Sequence, residues 1–378
     1  MRTVLLGASG NFGARILRDL ARDARFEVVP ATRNRLVWPA LQGLATAELD
    51  VRASGFGNAL SRLRPQLVIH CAGPFQGQDY AVARAALHAG AHYLDLADAR
   101  AFVANFADEV QAEALAADRL AVTGASTLPA LSLAVVERLR AGMHALESVE
   151  IAIAPAQRAP RGAATLAAVF SYLGRPFDCL RDGKWQRTWG WQDLRRVPTA
   201  VGRRWAAACD VPDLALLPQI YPSLRRATFH ASLEIGLQHF FLWALAAARR
   251  TGCPLALERW AGPLDRFAGA FDRFGGEAGA MWVRAQGTSE RGETMDRVWH
   301  LIAPGVVGPE IPCMPAILLA RRLASGLSAT SGARFCSGLL ALDDFEPQFQ
   351  RWGIKTTIAE ASPPLRKRER ALPNSTWP

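Results

Sequence analysis

Residues Leu5 to Leu17 read LLGASGNFGARIL and set Gly7, Gly10 and Gly13 three apart between an apolar run and a helical pattern. Glycines at that spacing can seat a phosphate. Gly7 permits a tight turn, Gly10 lets the backbone approach a pyrophosphate, and Gly13 lets the following helix pack closely on its strand. The helix N-terminus then offers unpaired N–H groups and the positive end of its dipole. Ser9, Asn11 and Phe12 complete the loop as candidate contacts. A turn that holds no ligand is the plainer alternative, and the neighbouring elements decide between the two.

The end of the second strand selects the dinucleotide. An acid there holds the ribose hydroxyls of NAD, whereas a guanidinium suits a 2′-phosphate. This chain reads ATRNR, with Arg33, Asn34 and Arg35 about twenty residues past Gly13. NADP(H) is therefore expected in preference to NAD(H), a surface arginine being the alternative for Arg33. Asp50 closes the third strand, where adenine is expected. Ala72, Gly73 and Pro74 follow the fourth, where the nicotinamide ribose passes.

Hydride transfer needs an acceptor carbon held over the nicotinamide and often a proton donor, at the carboxyl ends of the strands. His70 and Cys71 end the fourth strand, and Tyr93, Asp95 and Asp98 surround the end of the fifth. His70, Asp95 and Asp98 are the candidate catalytic residues. The alternative for each aspartate is to cap the helix beginning near Ala99, and for His70 to be a satisfied histidine at a sheet end. Arg161, in PRGAATL, could meet a substrate carboxylate. His230, which with Glu234 is a polar residue in an apolar stretch, is a second candidate for substrate binding. Tyr80 and Arg84 have the spacing of a Tyr-x-x-x-Lys dyad but lack the lysine. Gly90 breaks the helix between His88 and His92, so they form no metal pair, and no metal site is expected.

These residues need elements to position them. TVLLG is a short, continuous, buried type of strand. RFEVVPATR, GLATAELD, QLVIHCAG, AHYLDLA and LAVTGAS repeat the signal, with helical patterns between them such as Phe56, Ala59, Leu60 and Leu63. That rhythm predicts a Rossmann-type, doubly wound parallel sheet over residues 1–140. Composition shifts near residue 140, and all of the 11 tryptophans but Trp38 lie beyond residue 180. LESVEIAIAP, RRATFHASLEIG and a hairpin around SERGE read as strands, and GPEIPCMPAILLARRLASG as a proline-capped helix. Residues 141–345 are expected to form an α+β domain for substrate binding and dimerisation. Residues 346–378 are expected to be a C-terminal extension with a flexible tail from about residue 362.

The chain has 378 residues, 50% of them hydrophobic and 21% charged, which suits a soluble protein of two domains. Its net charge of +10 is arginine-borne, the lysines being Lys184, Lys355 and Lys367. No basic run interleaved with aromatics appears, so nucleic acid is not an expected partner; LRKRER near the C-terminus reads as a solvated tail. The 6 cysteines stand singly without a CxxC pair. FFLWALAAA is about half the length of a membrane span and reads as a buried or interfacial helix. Reduced thiols and a strand that begins at the N-terminus point to the cytoplasm.

GASGNFGARI, CAGPFQGQ, HYLDLADAR and GASTLPALSLAVVERL, in that order, resemble the saccharopine dehydrogenase-like NAD(P)-binding oxidoreductases. The resemblance covers residues 1 to about 140. RGAATLAAVFSYLGRPF and GPEIPCMPAILLARRLASG extend it more weakly. It implies a Rossmann domain with NADP(H) or NAD(H), a second domain that closes over a small-molecule substrate, and subunit pairing into a homodimer. It implies hydride transfer to or from a C=N bond, or, as in other relatives, reduction of an enoyl or carbonyl group on an apolar substrate. A catalytically silent dinucleotide-binding protein is a third reading.

Overall fold

The computed structural model describes residues 1–33, 44–253, 261–326 and 330–360. The first domain runs through β1 (Arg2–Leu6), α1 (Gly13–Leu20), β2 (Glu27–Thr32), β3 (Ala47–Glu48), α2 (Phe56–Arg62), β4 (Leu67–His70), α3 (Ala81–His88), β5 (His92–Asp95), α4 (Arg100–Ala116), β6 (Leu120–Thr123) and α5 (Ser132–Leu139). The strands pair in parallel in the order β3-β2-β1-β4-β5-β6. Both faces are covered, which is why the strands read as continuous apolar runs. Leu5, Ile69, Leu94 and Val122 meet α1 and α5 on one face. Val4, Leu6, Val68 and Tyr93 meet Phe56, Leu60, Ala86, Phe102 and Phe106 of α2, α3 and α4 on the other. The doubly wound α/β class read from the sequence is the observed one. GLATAELD yields only the two residues of β3.

The second domain contains β7 (Ala145–Ala154), α6 (Ala163–Tyr172), β8 (Pro176–Arg181), β9 (Lys184–Trp189), β10 (Arg195–Thr199), β11 (Gly202–Ala208), α7 (Asp213–Ile220), β12 (Arg226–Ala231), α8 (Gly236–Arg250), α9 (Ala261–Gly269), β13 (Gly279–Thr288) and β14 (Thr294–Ala303). Then follow α10 (Met314–Ala324), β15 (Gly332–Phe335), α11 (Leu342–Trp352) and β16 (Lys355–Glu360). The second sheet is mixed, in the order β10-β11-β12-β7-β13-β14-β16, with the β8–β9 hairpin beside β12. β7 and β12 are parallel, and β13 and β14 form the expected hairpin, whose turn carries a bond from the Ser289 amide to the Glu293 carbonyl of 2.9 Å. Val149, Ile151, Met281, Val283 and Trp299 of this sheet share one apolar core with α1 and α5.

Two late strands cross the boundaries read from the sequence. β15, inside the span 141–345, pairs in parallel with β6 and becomes the seventh strand of the first sheet. β16, inside the span 346–378, closes the edge of the second sheet against β14. The helix α10 lies on the first domain, where Arg321 bonds Asp19 at 2.6 Å and the short helical turn before it pairs Glu310 with Arg18 at 2.7 Å. Arg351 of α11 pairs with the same Asp19. The tail from residue 362, with its LRKRER, lies outside the described residues.

Candidate dinucleotide and substrate cleft

The glycine loop joins β1 to α1 at the carboxyl edge of the first sheet. Gly7 has φ +76°, and a Cβ on it would lie 2.9 Å from the Ala72 nitrogen and the Cys71 carbonyl carbon. A Cβ on Gly13 would lie 2.2 Å from the Gly7 carbonyl oxygen. Both positions thus exclude any side chain, one by conformation and contact and the other by contact alone. The Gly10 amide donates to the Gly7 carbonyl at 2.9 Å, and Ser9 and Gly10 are exposed. The amides of Asn11, Phe12 and Gly13 donate to no backbone carbonyl among the described residues, and no side chain caps α1. Unsatisfied amides at a helix N-terminus form a seat for an anion.

Arg33 follows the last residue of β2 and is exposed. Asn34 and Arg35 lie outside the described residues. Asp50 lies just beyond β3, where its Oδ1 accepts the Arg52 amide at 3.0 Å and so turns the chain. Ala72, Gly73 and Pro74 follow β4 beneath Gly7, and a Cβ on Gly73 would touch the Ala164 Cβ of α6 at 3.5 Å.

His70 and Asp95 are buried at the carboxyl ends of β4 and β5. His70 is buried, its Nδ1 3.0 Å from the Tyr93 hydroxyl and its ring 5.0 Å from Phe75. Burial pushes its pKa down to about 4, so the imidazole is neutral. Asp95 is fully buried, and its Oδ1 accepts from the Gly124 amide at 2.8 Å, the Ala97 amide at 2.9 Å and the Thr123 hydroxyl at 2.9 Å. Burial raises its pKa to about 6, against the pull of these donors. Asp95 therefore braces the ends of β5 and β6.

Asp98 stands differently. It is partly exposed, its Oδ1 accepts from Gln76 Nε2 at 3.3 Å, and no side chain caps α4. Its packed surroundings raise its pKa. Tyr172 is the last residue of α6, and the Cys209 thiol is one of its neighbours. Burial raises the Tyr172 pKa far above its ordinary value, and the neighbouring thiol and the carboxylates of Asp98 and Asp210 add to this. Asp210 in turn pairs with Arg100 at 3.1 Å. Arg100 of the first domain thus meets Asp210 of the second, and also donates to the Asp178 carbonyl at 2.7 Å. The sequence reading missed Tyr172 and Gln76. The available signals were the scarcity of tyrosine, 4 in the chain, and the presence of Gln76 in CAGPFQGQ.

The second domain also touches the glycine loop. Asn11 Nδ2 donates to the Pro160 carbonyl at 3.3 Å, and a Cβ on Gly162 would lie 3.2 Å from the Asn11 Cβ. Arg161, between these residues, bonds Asp272 at 2.9 Å and the Gln157 carbonyl at 2.7 Å. His230 is buried in its own sheet, with Nε2 3.5 Å from Asp193, which also pairs with Arg181 and Arg195. Glu234 pairs with Arg204 at 3.2 Å and accepts the Gln157 amide at 2.8 Å. Arg161, His230 and Glu234 therefore have partners within the second domain.

Residues 3–127 match the model of the saccharopine dehydrogenase NADP binding domain. No curated protein matches the chain significantly. Apo saccharopine dehydrogenase (L-Glu forming) from Saccharomyces cerevisiae superposes with a TM-score of 0.66 at 12% identity, over 96% of this chain and 100% of its own. The homospermidine synthase of Legionella pneumophila in complex with NAD gives 0.65 at 12%, over 99% and 95%. An engineered D-amino acid dehydrogenase bound to NADP+ gives 0.50 at 12%, over 92% and 99%. At these identities the likeness is one of fold.

Proposed function

We propose that this chain, whose first domain belongs to the saccharopine dehydrogenase-like NAD(P)-binding family, is an NADP(H)-dependent oxidoreductase acting on a small molecule at a C=N bond. The observation that carries the reading is the glycine cradle, closed to any side chain at Gly7 and Gly13 and backed by the amides of Asn11, Phe12 and Gly13. These residues fit a pyrophosphate, and Ala72 to Pro74 fit the nicotinamide end. When bound, the dinucleotide supplies or accepts the hydride. Arg33 is the group for a 2′-phosphate, with Asn34 and Arg35 beside it in sequence. Asp98, held by Gln76, and Tyr172, the last residue of α6, are suited to orient the substrate and to hold or pass its proton. Asp95 and His70 keep the strand ends in register beneath them. The C=N assignment rests on the family resemblance and on the names of the saccharopine dehydrogenase and homospermidine synthase neighbours.

One observation favours the second reading, an enoyl or carbonyl reductase for an apolar substrate. The less exposed arginines Arg161, Arg181, Arg204 and Arg284 of the second domain are matched by its own acids Asp272, Asp193, Glu234 and Asp296. Such pairing does not suit a clamp for substrate carboxylates.

Fluorescence titration with NADPH and with NADH tests the cofactor assignment. NADPH is expected to bind the more tightly, and Arg33→Ala should weaken NADPH by about 1–3 kcal/mol while sparing NADH. Equal losses would remove the 2′-phosphate assignment, and no binding of either dinucleotide would overturn the reading. Turnover of imine precursors against enoyl thioesters then separates the two substrate classes.

A further inference from the structure

We propose that α8, α9 and the exposed face of the β10–β11 hairpin form a surface that docks peripherally on an anionic lipid membrane. The helix α8 is inverted at its N-terminal end. Gln238 and His239 are buried, while Leu237, Phe240 and Phe241 on the opposite face are exposed at 67%, 39% and 41%. The apolar face continues on both sides. Trp205 of β11 lies edge-on to Phe240 at 5.7 Å, and Phe267 of α9 lies 5.8 Å from Phe241. Phe267 leads through Phe271 to Phe274, itself 67% exposed. A contiguous exposed aromatic strip on a folded chain marks a contact surface.

The charge around the strip selects the occupant. Arg196 lies over the Trp205 ring at 5.6 Å, and Arg273 over the Phe274 ring at 4.6 Å. Arg203 lies two residues before Trp205 on the same strand face, and Arg266 is next to Phe267; both are exposed. None of the four has an ion-pair partner among the described residues. The nearby acids Glu234 and Asp272 are matched by Arg204 and Arg161. A second copy seated on this strip about a two-fold axis would set these arginines against themselves. Anionic headgroups offer the opposite charge, and protruding aromatic and leucine side chains suit the boundary between headgroups and acyl chains. No helix among the described residues is long and apolar enough to cross a membrane, so the contact is with one leaflet.

The test is co-sedimentation of the full chain with phosphatidylcholine vesicles, with and without phosphatidylglycerol. The strip predicts binding to the anionic vesicles, weakened about tenfold by the double variant Leu237→Glu/Phe241→Glu and again by Arg196→Glu/Arg273→Glu. Both pairs are solvent-facing, and unchanged circular dichroism confirms folding. Undiminished binding by the leucine–phenylalanine variant would show attraction by net charge alone and overturn the proposal. So would failure of the native chain to bind, or a dimer in light scattering that this variant dissociates. None of these readouts depends on the cofactor or the substrate, so their failure is separable from that of the proposed function.

Discussion

At the scale of single residues, Asp95 and Asp98 lie three positions apart and do different work. Asp95→Ala would leave the Gly124 and Ala97 amides and the Thr123 hydroxyl buried without an acceptor, at a cost of at least ~3 kcal/mol. The expected outcome is a large fall in melting temperature. Asp98→Asn should fold as the native protein does and should move the pH profile of kcat instead. An unchanged profile would remove Asp98 from the proton path. Asp213 gives a separate reading. It is fully buried, accepts from the Ser132 hydroxyl, and is pushed by burial to a pKa of about 6. The folded state therefore holds this proton more firmly than the unfolded chain does. The resulting destabilisation is absent at low pH, develops as pH rises from about 4 to 6, and persists above, amounting to roughly 3 kcal/mol. Asp213→Asn keeps the volume and an acceptor for Ser132. Its melting temperature relative to the native protein should rise across that window and then level off. A difference that does not vary with pH would refute this account.

At the scale of elements, the glycine loop is a packing solution as much as a binding one. A Cβ on Gly13 would lie 2.2 Å from the Gly7 carbonyl oxygen, so Gly13→Ala must displace α1 from the loop that follows β1. Dinucleotide affinity is expected to fall about tenfold or more, with a lower melting temperature, as read by the same fluorescence titration and a thermal scan. The first domain was legible because its strands are covered on both faces and its helices keep an apolar face, so period and punctuation agree. The hairpins β8–β9 and β10–β11 gave no such signal. Most of β9, Lys184 to Arg187, is exposed, and a strand without a buried face carries no alternation to read. The helix α8 was legible as apolar but not in orientation, because the burial of Gln238 depends on a partner distant in sequence, the Ala268 carbonyl. Tyr172 was missed for the same reason: its significance comes from Asp98 and Cys209, which the sequence holds far from it.

At the scale of the whole molecule, the two sheets are tied together by the order in which the chain visits them. The chain leaves the first sheet after β6, builds most of the second, returns for β15 and leaves again for β16. A chain ending at residue 330 would uncover the edge of β6 and also lack α11, whose Arg351 pairs with Asp19. Expression of that truncation should give insoluble protein, whereas a soluble, NADPH-binding product would show the return strand to be dispensable. The same return has a consequence during synthesis. Leu120 of β6 meets its neighbour Gly332 only when about two hundred further residues have left the ribosome. The dinucleotide-binding half emerges first, but its sheet is completed only near the end of the described chain. For most of translation its sheet presents an open hydrogen-bonding edge to solvent or to a chaperone, and a translational pause anywhere in the second domain would prolong that exposure.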